Sequence, residues 1–193
     1  MLPCKVSTVN YSGLSPDVFF RDFVAPRRPV VLNGCLAESE GWRGGAWTNQ
    51  YLREKAGDSD VKVEYRGGTT ERFGQGRERA MKFGDFLAEL ERKSDLFYLT
   101  TQARSARSEL GLDPSGRPRL MSAPLDRLRG DFPLRPRLAG GLVPQNVNLW
   151  MGYSKGKGSS SGLHHDFHDN LYVLLRGKKT FRCVLPTVDT RNV

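Results

Sequence analysis

The last quarter of the sequence carries a β-type hydrophobic pattern that limits the folds open to this chain. Three apolar runs rich in β-branched and aromatic residues follow Asn146, at 147–151, 171–175 and 180–185. Each run has the length of a strand rather than of a helix, and turn residues separate it from the next. The sequence therefore predicts a β-structured core in this part of the chain.

The first hundred residues alternate between helix and strand signals. Ser15 before Pro16 is a helix start, because serine is a good N-cap and proline suits the first helical position. Thr48 caps a second predicted helix over 47–55, and a third helix has its apolar face at Phe83, Phe86, Leu87 and Leu90. Compact or alternating apolar runs predict strands at 29–32, 61–65 and 96–99. Helices are thus expected to flank a β core.

Residues 102–143 show no sustained periodicity and are rich in arginine, proline, serine and glycine. We predict a long loop or insertion there. A length of 193 residues suits one domain. We divide it into a helix and strand portion over 1–101, the Arg/Pro/Gly-rich loop or insertion over 102–143, and a core segment over 144–193.

The net charge of +9 is compatible with nucleic-acid binding. Its densest part is the arginine-rich loop, with Arg117, Arg119, Arg127, Arg129, Arg135 and Arg137. Proline and glycine interrupt these arginines, which indicates a loop facing solvent or an acidic partner rather than a basic helix. Nucleic-acid binding through this loop is the less favoured alternative.

No apolar run approaches the 18 residues that a membrane span requires, and the N-terminus lacks a signal-peptide pattern. We therefore expect an intracellular protein, in the nucleus or the cytoplasm, with no membrane partner.

All three histidines lie within five positions, 164 to 168. On an extended strand, side chains alternate between faces, so His164 and Asp166 would point to one side and His165 to the other. Such an HxD pair offers two of the three ligands of the 2-His-1-carboxylate site that holds non-haem Fe(II). His165, on the opposite face, and His168, too close along the chain, are poor candidates for the third. Because HxD also occurs among ordinary surface residues, the surrounding sequence decides its value.

The sequence around the HxD pair resembles the JmjC branch of the cupin-type Fe(II)- and 2-oxoglutarate-dependent oxygenases. The matching text is VNLWMG followed by SGLHHDFHDNLYVLLRGKKTFRCVLP. In that family the block reads as an apolar strand, a small residue, HxD, Asn-Leu, a strand, a glycine turn, a lysine and a strand ending in proline, and every element is present in order. A weaker match covers most of the remaining chain except 102–143. The resemblance implies a mainly β fold with flanking helices, a cupin-type double-stranded β-helix (jelly roll).

The resemblance implies that His164 and Asp166 are metal ligands with catalytic roles, and that Fe(II) is the cofactor. It also implies that Lys179 binds the distal carboxylate of the co-substrate, 2-oxoglutarate. A dianion chelated to iron at one end needs a fixed positive charge at the other. The alternative for Lys179 is an exposed turn lysine, a role that suits Lys178 better.

Three further residues match co-substrate or iron-site positions of the family. The hydroxyls of Ser161 and Tyr98 would bind the same carboxylate, and Asn170 would line the iron site. For Tyr98 we keep core packing as an equal alternative.

The family supplies its second histidine from a later strand, whereas only seven residues follow Pro186 here and none is a histidine. We therefore expect a barrel that is incomplete at the C-terminus, with unpaired strand edges. The chain could lack the end of its domain, be completed by another chain, or be a degenerate relative. The intact HxD pair, lysine and asparagine favour the first explanation.

The resemblance implies a dioxygenase that hydroxylates a side chain of a protein or peptide substrate. One alternative is a JmjC lysine demethylase, because demethylation is hydroxylation of an N-methyl group on the same core. The other is a non-catalytic cupin-like interaction module whose arginine-rich loop binds an acidic partner. Oligomeric state is open, with a homodimer among the alternatives.

Overall fold

The computed structural model describes residues 5–67, 76–101, 119–156, 158–166 and 168–183. The chain divides into two compact units. One consists of residues 1–35 and 168–193, and the other of residues 36–167.

The first unit contains a short parallel sheet and a helix. Strand β1 (Ser7–Asn10) pairs in parallel with β2 (Val30–Asn33). Between them lies α1 (Pro16–Phe19), which continues as one π-helical turn over Phe20–Val24. The Ser15 hydroxyl accepts a hydrogen bond of 3.2 Å from the backbone N–H of Val18, as expected of an N-cap. The predicted helix start and the strand near 29–32 are confirmed.

Residues 168–183 belong to the same unit and contain no helix or strand. The strands predicted over 171–175 and 180–185 are therefore wrong for the described residues, while 184 and 185 lie outside them. An apolar strand needs a neighbouring strand to pair its backbone and a surface to cover its side chains. Among the described residues, no strand pairs with this segment, and Leu171, Leu174 and Phe181 are 43–56% exposed.

The second unit contains a four-stranded antiparallel sheet. Its strands are β3 (Asp60–Tyr65), β4 (Arg77–Lys82), β5 (Phe97–Thr100) and β6 (Trp150–Gly152), in the order β4-β3-β5-β6. Leu99 in β5 lies opposite Val63 on one side and Met151 on the other. The strands predicted at 61–65 and 96–99 are confirmed, and the one predicted at 147–151 is shorter and begins later.

Strand β4 lies in a segment that the sequence indicated as a charged loop. It is an edge strand with mostly exposed side chains, so it lacks the apolar alternation that identifies a half-buried strand. Cross-strand ion pairs fix it to β3, with Lys62 Nζ 3.0 Å from Glu78 Oε1 and Lys82 Nζ 2.7 Å from Asp60 Oδ1.

Two helices form the core together with the sheet. Helix α2 (Asn49–Ala56) begins after Thr48, whose hydroxyl accepts the N–H of Tyr51 at 3.1 Å, as predicted. Helix α3 (Phe83–Glu91) buries three of the four residues on its predicted apolar face. The buried core consists of Leu52, Ala56, Val61, Val63, Phe83, Phe86, Leu87, Phe97, Leu99 and Leu128. This unit is thus a mixed α/β structure built on one antiparallel sheet.

The described part of the arginine-rich loop, from Arg119 onward, is packed on the second unit. It has two 3-10 helices, Arg129–Asp131 and Arg137–Ala139, and buries Leu125, Leu128 and Leu138. Its five arginines remain exposed, as predicted, and Arg117 lies outside the described residues. The segment is therefore solvated through its arginines and anchored through its leucines.

A buried carboxylate ties this segment to α2. Asp131 is 7% exposed and accepts hydrogen bonds from Trp47 Nε1 at 2.8 Å and from the Tyr51 hydroxyl at 3.0 Å. Its backbone carbonyl accepts the N–H of Arg43 at 2.8 Å. Burial, followed by the hydrogen bond to Asp131, raises the pKa of Tyr51 above its usual value of 10.

Raising the pH should therefore weaken the fold through Tyr51. Because the folded-state pKa lies above the unfolded one, this stabilisation is complete below about pH 10 and is lost as the pH rises through the folded-state pKa. Urea unfolding from about pH 8 to about pH 11 should show wild type losing free energy of unfolding more steeply than Tyr51→Phe. Parallel pH profiles for the two proteins would contradict this role of the phenol.

Among the residues that the structure describes, no helix has the length and apolar character needed to cross a membrane.

Candidate active site

A glycine-directed loop carries the chain from the sheet to the HxD pair. Strand β6 ends at Gly152, and the described residues from 153 to 166 form no helix or strand. Gly156, Gly158 and Gly162 have φ values of 58°, 80° and 73°. Residues with a Cβ rarely adopt these values, so the path of the loop depends on glycine at these positions.

The side chains of His164 and Asp166 approach each other at the end of this loop. His164 Nε2 lies 3.7 Å from Asp166 Oδ1, and the two side chains are 48% and 44% exposed. Because the segment is not a strand, the alternation of faces expected from the sequence does not apply here. The loop conformation nevertheless brings the two predicted ligands together.

A backbone carbonyl fixes the protonation pattern of the His164 ring. His164 Nδ1 lies 3.0 Å from the carbonyl oxygen of Gly162. A carbonyl can only accept, so Nδ1 must carry the proton in this hydrogen bond. In neutral imidazole, Nε2 then keeps its lone pair on the side of Asp166. A histidine ligand whose other ring nitrogen donates to a carbonyl is the usual arrangement in metal sites.

The chemistry of this pair fits one half of a non-haem iron site. An imidazole nitrogen and a carboxylate oxygen are ligands of the 2-His-1-carboxylate type. Two ligand atoms at right angles on one ion, each about 2.1 Å from it, lie about 3 Å apart, so a small side-chain movement from 3.7 Å suffices. Within the described parts of the chain, no cluster of three or more His, Cys, Asp or Glu side chains could hold a metal ion. His165 and His168 are exposed and complete no such cluster.

Tyr98 lies at the centre of the sheet, in a row with residues of the two neighbouring strands. On β5 it faces Glu64 of β3 and Gly152 of β6. A Cβ at position 152 would overlap Cδ2 of Tyr98, so the ring occupies the space that glycine leaves. The Arg66 guanidinium lies 5.1 Å from the ring centroid. Tyr98 is therefore a half-buried, well-packed side chain.

The remaining predicted site residues are distributed over both units. Ser161 is exposed in the glycine-rich loop of the second unit, three residues before His164. Asn170 and Lys179 belong to the first unit, where Lys179 Nζ lies 5.8 Å from the Phe181 ring centroid. The assignments of Tyr98, Ser161, Asn170 and Lys179 stay predictions.

Glu64 and Arg66 were not identified from the sequence. Glu64 is 2% exposed, although its place in the alternating run 61–65 predicts an outward-facing polar residue. Its Oε2 lies 3.2 Å from Arg66 Nη2, and its Oε1 accepts the backbone N–H of Gly76 at 2.8 Å. A glutamate and an arginine two residues apart on a strand share a face, which is the only signal that could have drawn attention to this pair.

Known proteins similar to this chain confirm the resemblance read from the HxD block. The family model described as "Cupin-like domain" matches residues 16–193. JmjC domain-containing protein 4 of Schizosaccharomyces pombe is 41% identical over 182 residues, which are 92% of this chain and 38% of that protein. The chain thus spans well under half of that relative.

Two further relatives carry names that state an activity. The bifunctional peptidase and (3S)-lysyl hydroxylase JMJD7 of Homo sapiens is 28% identical over 86% of this chain and 50% of its own length. The lysine-specific demethylase JMJ30 of Arabidopsis thaliana is 28% identical over 94% of this chain and 39% of its own length. The family match over nearly the whole chain, together with these JmjC relatives, shows that the chain belongs to the cupin-like (JmjC) family.

Proposed function

We propose that this chain carries part of the active site of an Fe(II)- and 2-oxoglutarate-dependent dioxygenase that hydroxylates a protein side chain. The observation that carries the proposal is the convergence of His164 Nε2 and Asp166 Oδ1 in a member of the cupin-like family. The name of the human relative, a lysyl hydroxylase, supports hydroxylation. In this proposal the four-stranded antiparallel sheet belongs to a cupin-type jelly roll.

The residues would divide the work between metal and co-substrate. His164 and Asp166 would hold the iron, and the Gly162 carbonyl would keep His164 Nε2 free to bind it. Lys179 would compensate the distal carboxylate of 2-oxoglutarate, with Ser161 and Tyr98 as hydrogen-bond donors and Asn170 beside the metal. Bound Fe(II) and 2-oxoglutarate would supply the oxidising chemistry, which converts the co-substrate to succinate as the substrate is hydroxylated.

The proposed partner is a protein or peptide, and a homodimer is an arrangement to be tested by measuring the mass in solution. Exposed arginines of the segment from Arg119 to Arg137 would favour an acidic substrate region. Lysine demethylation is a second candidate because one relative is named a lysine-specific demethylase. Release of formaldehyde from a methylated peptide would identify demethylation, whereas a stable hydroxylated product would identify hydroxylation.

Removing either proposed ligand should abolish metal binding. In the full-length protein, His164→Ala and Asp166→Ala should each lower Mn(II) affinity by more than about 100-fold, since even partners behind the ligands are typically worth 10- to 100-fold. Electron paramagnetic resonance titration with Mn(II), followed by succinate formation with Fe(II), measures this. His165→Ala is the matched control and should bind Mn(II) as wild type does. Equal binding by all four proteins would exclude the metal assignment.

Lys179→Ala should weaken co-substrate binding without weakening metal binding. The side chain would supply the only change, a lost positive charge facing the distal carboxylate. Titration of the Mn(II)-loaded protein with N-oxalylglycine should show a loss of about 10-fold or more in affinity, whereas Lys178→Ala should show almost none. Loss of Mn(II) binding with N-oxalylglycine affinity retained would contradict this role for Lys179.

A further inference from the structure

Tyr98 is held by a set of side chains that does more than fill a core. Its cross-strand partner on one side is Glu64, and on the other side Gly152 leaves room for the ring. Arg66 is the diagonal neighbour on the same face, because the register that pairs Glu64 with Tyr98 places Arg66 beside Leu96. A backbone hydrogen bond of 2.7 Å from Arg66 N–H to the Leu96 carbonyl keeps it there.

The Arg66 guanidinium is fixed from behind by a buried carboxylate. Arg66 Nη2 lies 3.2 Å from Glu64 Oε2, and the two side chains are 11% and 1% exposed. The second carboxylate oxygen of Glu64 accepts the Gly76 N–H at 2.8 Å, so Glu64 is itself anchored to the backbone. Burying an ion pair costs several kcal/mol per ion unless its geometry is well compensated, and such pairs are often neutral for stability. A positional role accounts for the pair better than a stabilising one.

The far face of the guanidinium points to a single ring. Its centre lies 5.1 Å from the Tyr98 centroid, within the range of a cation–π contact. Only arginine presents a plane that can pair with a carboxylate and pack on an aromatic ring at the same time. Because Glu64 already compensates the charge of Arg66, this arginine is poorly suited to bind an anion directly and well suited to orient Tyr98.

We propose that Arg66, anchored by Glu64, is a positioning residue that fixes the Tyr98 ring so that its hydroxyl can bind the distal carboxylate of the co-substrate. This inference rests on the proposed co-substrate role of Tyr98. Arg66 acts through Tyr98 and makes no contact with the co-substrate itself. Loss of Arg66 therefore weakens co-substrate binding only in a protein that still has the tyrosine hydroxyl.

A double-mutant cycle in the full-length protein tests this dependence. The four proteins are wild type, Tyr98→Phe, Glu64→Gln/Arg66→Met, and the combination of all three substitutions. Replacing Glu64 together with Arg66 avoids leaving a buried charge unpaired. N-oxalylglycine affinity of the Mn(II)-loaded proteins should fall about 10-fold in each of the first two variants and no further in the triple variant. Additive losses, or no loss in Glu64→Gln/Arg66→Met, would overturn the proposal.

A second variant and a second measurement separate positioning from folding. Arg66→Lys keeps the charge beside Glu64 but lacks the plane, so it should melt near the wild-type temperature and still bind N-oxalylglycine several-fold more weakly. Full affinity in Arg66→Lys would contradict the stacking role. Mn(II) affinity should be the same in every variant, because neither Arg66 nor Tyr98 is a proposed ligand.

Ring signals of Tyr98 test the contact without any co-substrate. In protein carrying ¹³C-labelled tyrosine, the Tyr98 signals, assigned by their absence in Tyr98→Phe, should shift and sharpen in Arg66→Lys as the ring becomes mobile. Unchanged signals would overturn the clamp. If wild type binds no N-oxalylglycine, the co-substrate role of Tyr98 fails, and the ring signals alone then decide whether Arg66 orients the tyrosine.

Discussion

Phe86→Ala should lower the free energy of unfolding by about 3–5 kcal/mol. Phe86 is completely buried and stacks on Phe83, with ring centroids 6.2 Å apart and planes inclined by 19°. It belongs to the cluster in which α2, α3, the sheet and Leu128 meet, so truncation would open a cavity with no mobile neighbour to fill it. A loss of this size is a large share of the total stability of a typical domain.

The matched control is the same substitution at an exposed phenylalanine. Phe20 is 48% exposed, and Phe20→Ala should cost less than about 1 kcal/mol. Urea unfolding of the two variants and wild type, followed by circular dichroism, gives the comparison. Similar losses for Phe86→Ala and Phe20→Ala would show that the cluster around Phe86 is not the main core.

The elements that the sequence predicted correctly are those determined by local chemistry. The Ser15 and Thr48 hydroxyls cap helices because each can reach a backbone N–H three residues along the chain. Helix α3 was predicted from the spacing of its apolar residues, and three of those residues are in the core. The alternating run of β3 was equally readable. In each case the signal and the structure lie within one short segment.

The elements that the sequence did not predict depend on distant partners. The edge strand β4 has charged side chains and is recognisable only through its pairing with β3. The runs over 171–175 and 180–183 have strand composition but no strand partner among the described residues. The leucines of the arginine-rich segment are buried because α2 and the sheet lie against them, and no periodicity within that segment announces this.

The candidate site divides in the same way. The HxD pair was visible because both residues lie in one tripeptide, and the structure places their donor atoms 3.7 Å apart. Glu64 and Arg66 were missed because their significance comes from Tyr98, a neighbour only through the pairing of β3 with β5. Residues that ligate can be recognised from short motifs, whereas residues that orient others become recognisable only once the strands are paired.

Asp131 is the long-range contact with the greatest consequence for stability, and Asp131→Ala should cost about 2–4 kcal/mol. The substitution removes the acceptor of Trp47 Nε1 and of the Tyr51 hydroxyl and leaves both donors in a site that is closed to water. Each buried donor left without a partner costs about 1–3 kcal/mol. The loss should also release the segment around Leu128 from α2, so that proteolytic cleavage between residues 119 and 140 becomes faster.

Asp126→Ala provides the comparison, because Asp126 lies in the same segment but is exposed. Its carboxylate accepts only the neighbouring Arg127 N–H, and its loss should cost less than about 1 kcal/mol. Ultraviolet titration of the tyrosines adds an independent measurement. Because the hydrogen bond to Asp131 helps to raise the pKa of Tyr51, Asp131→Ala should move that pKa downward, toward its usual value, and Asp126→Ala should not. An unchanged Tyr51 titration in Asp131→Ala would mean that the carboxylate does not hold the phenol in solution.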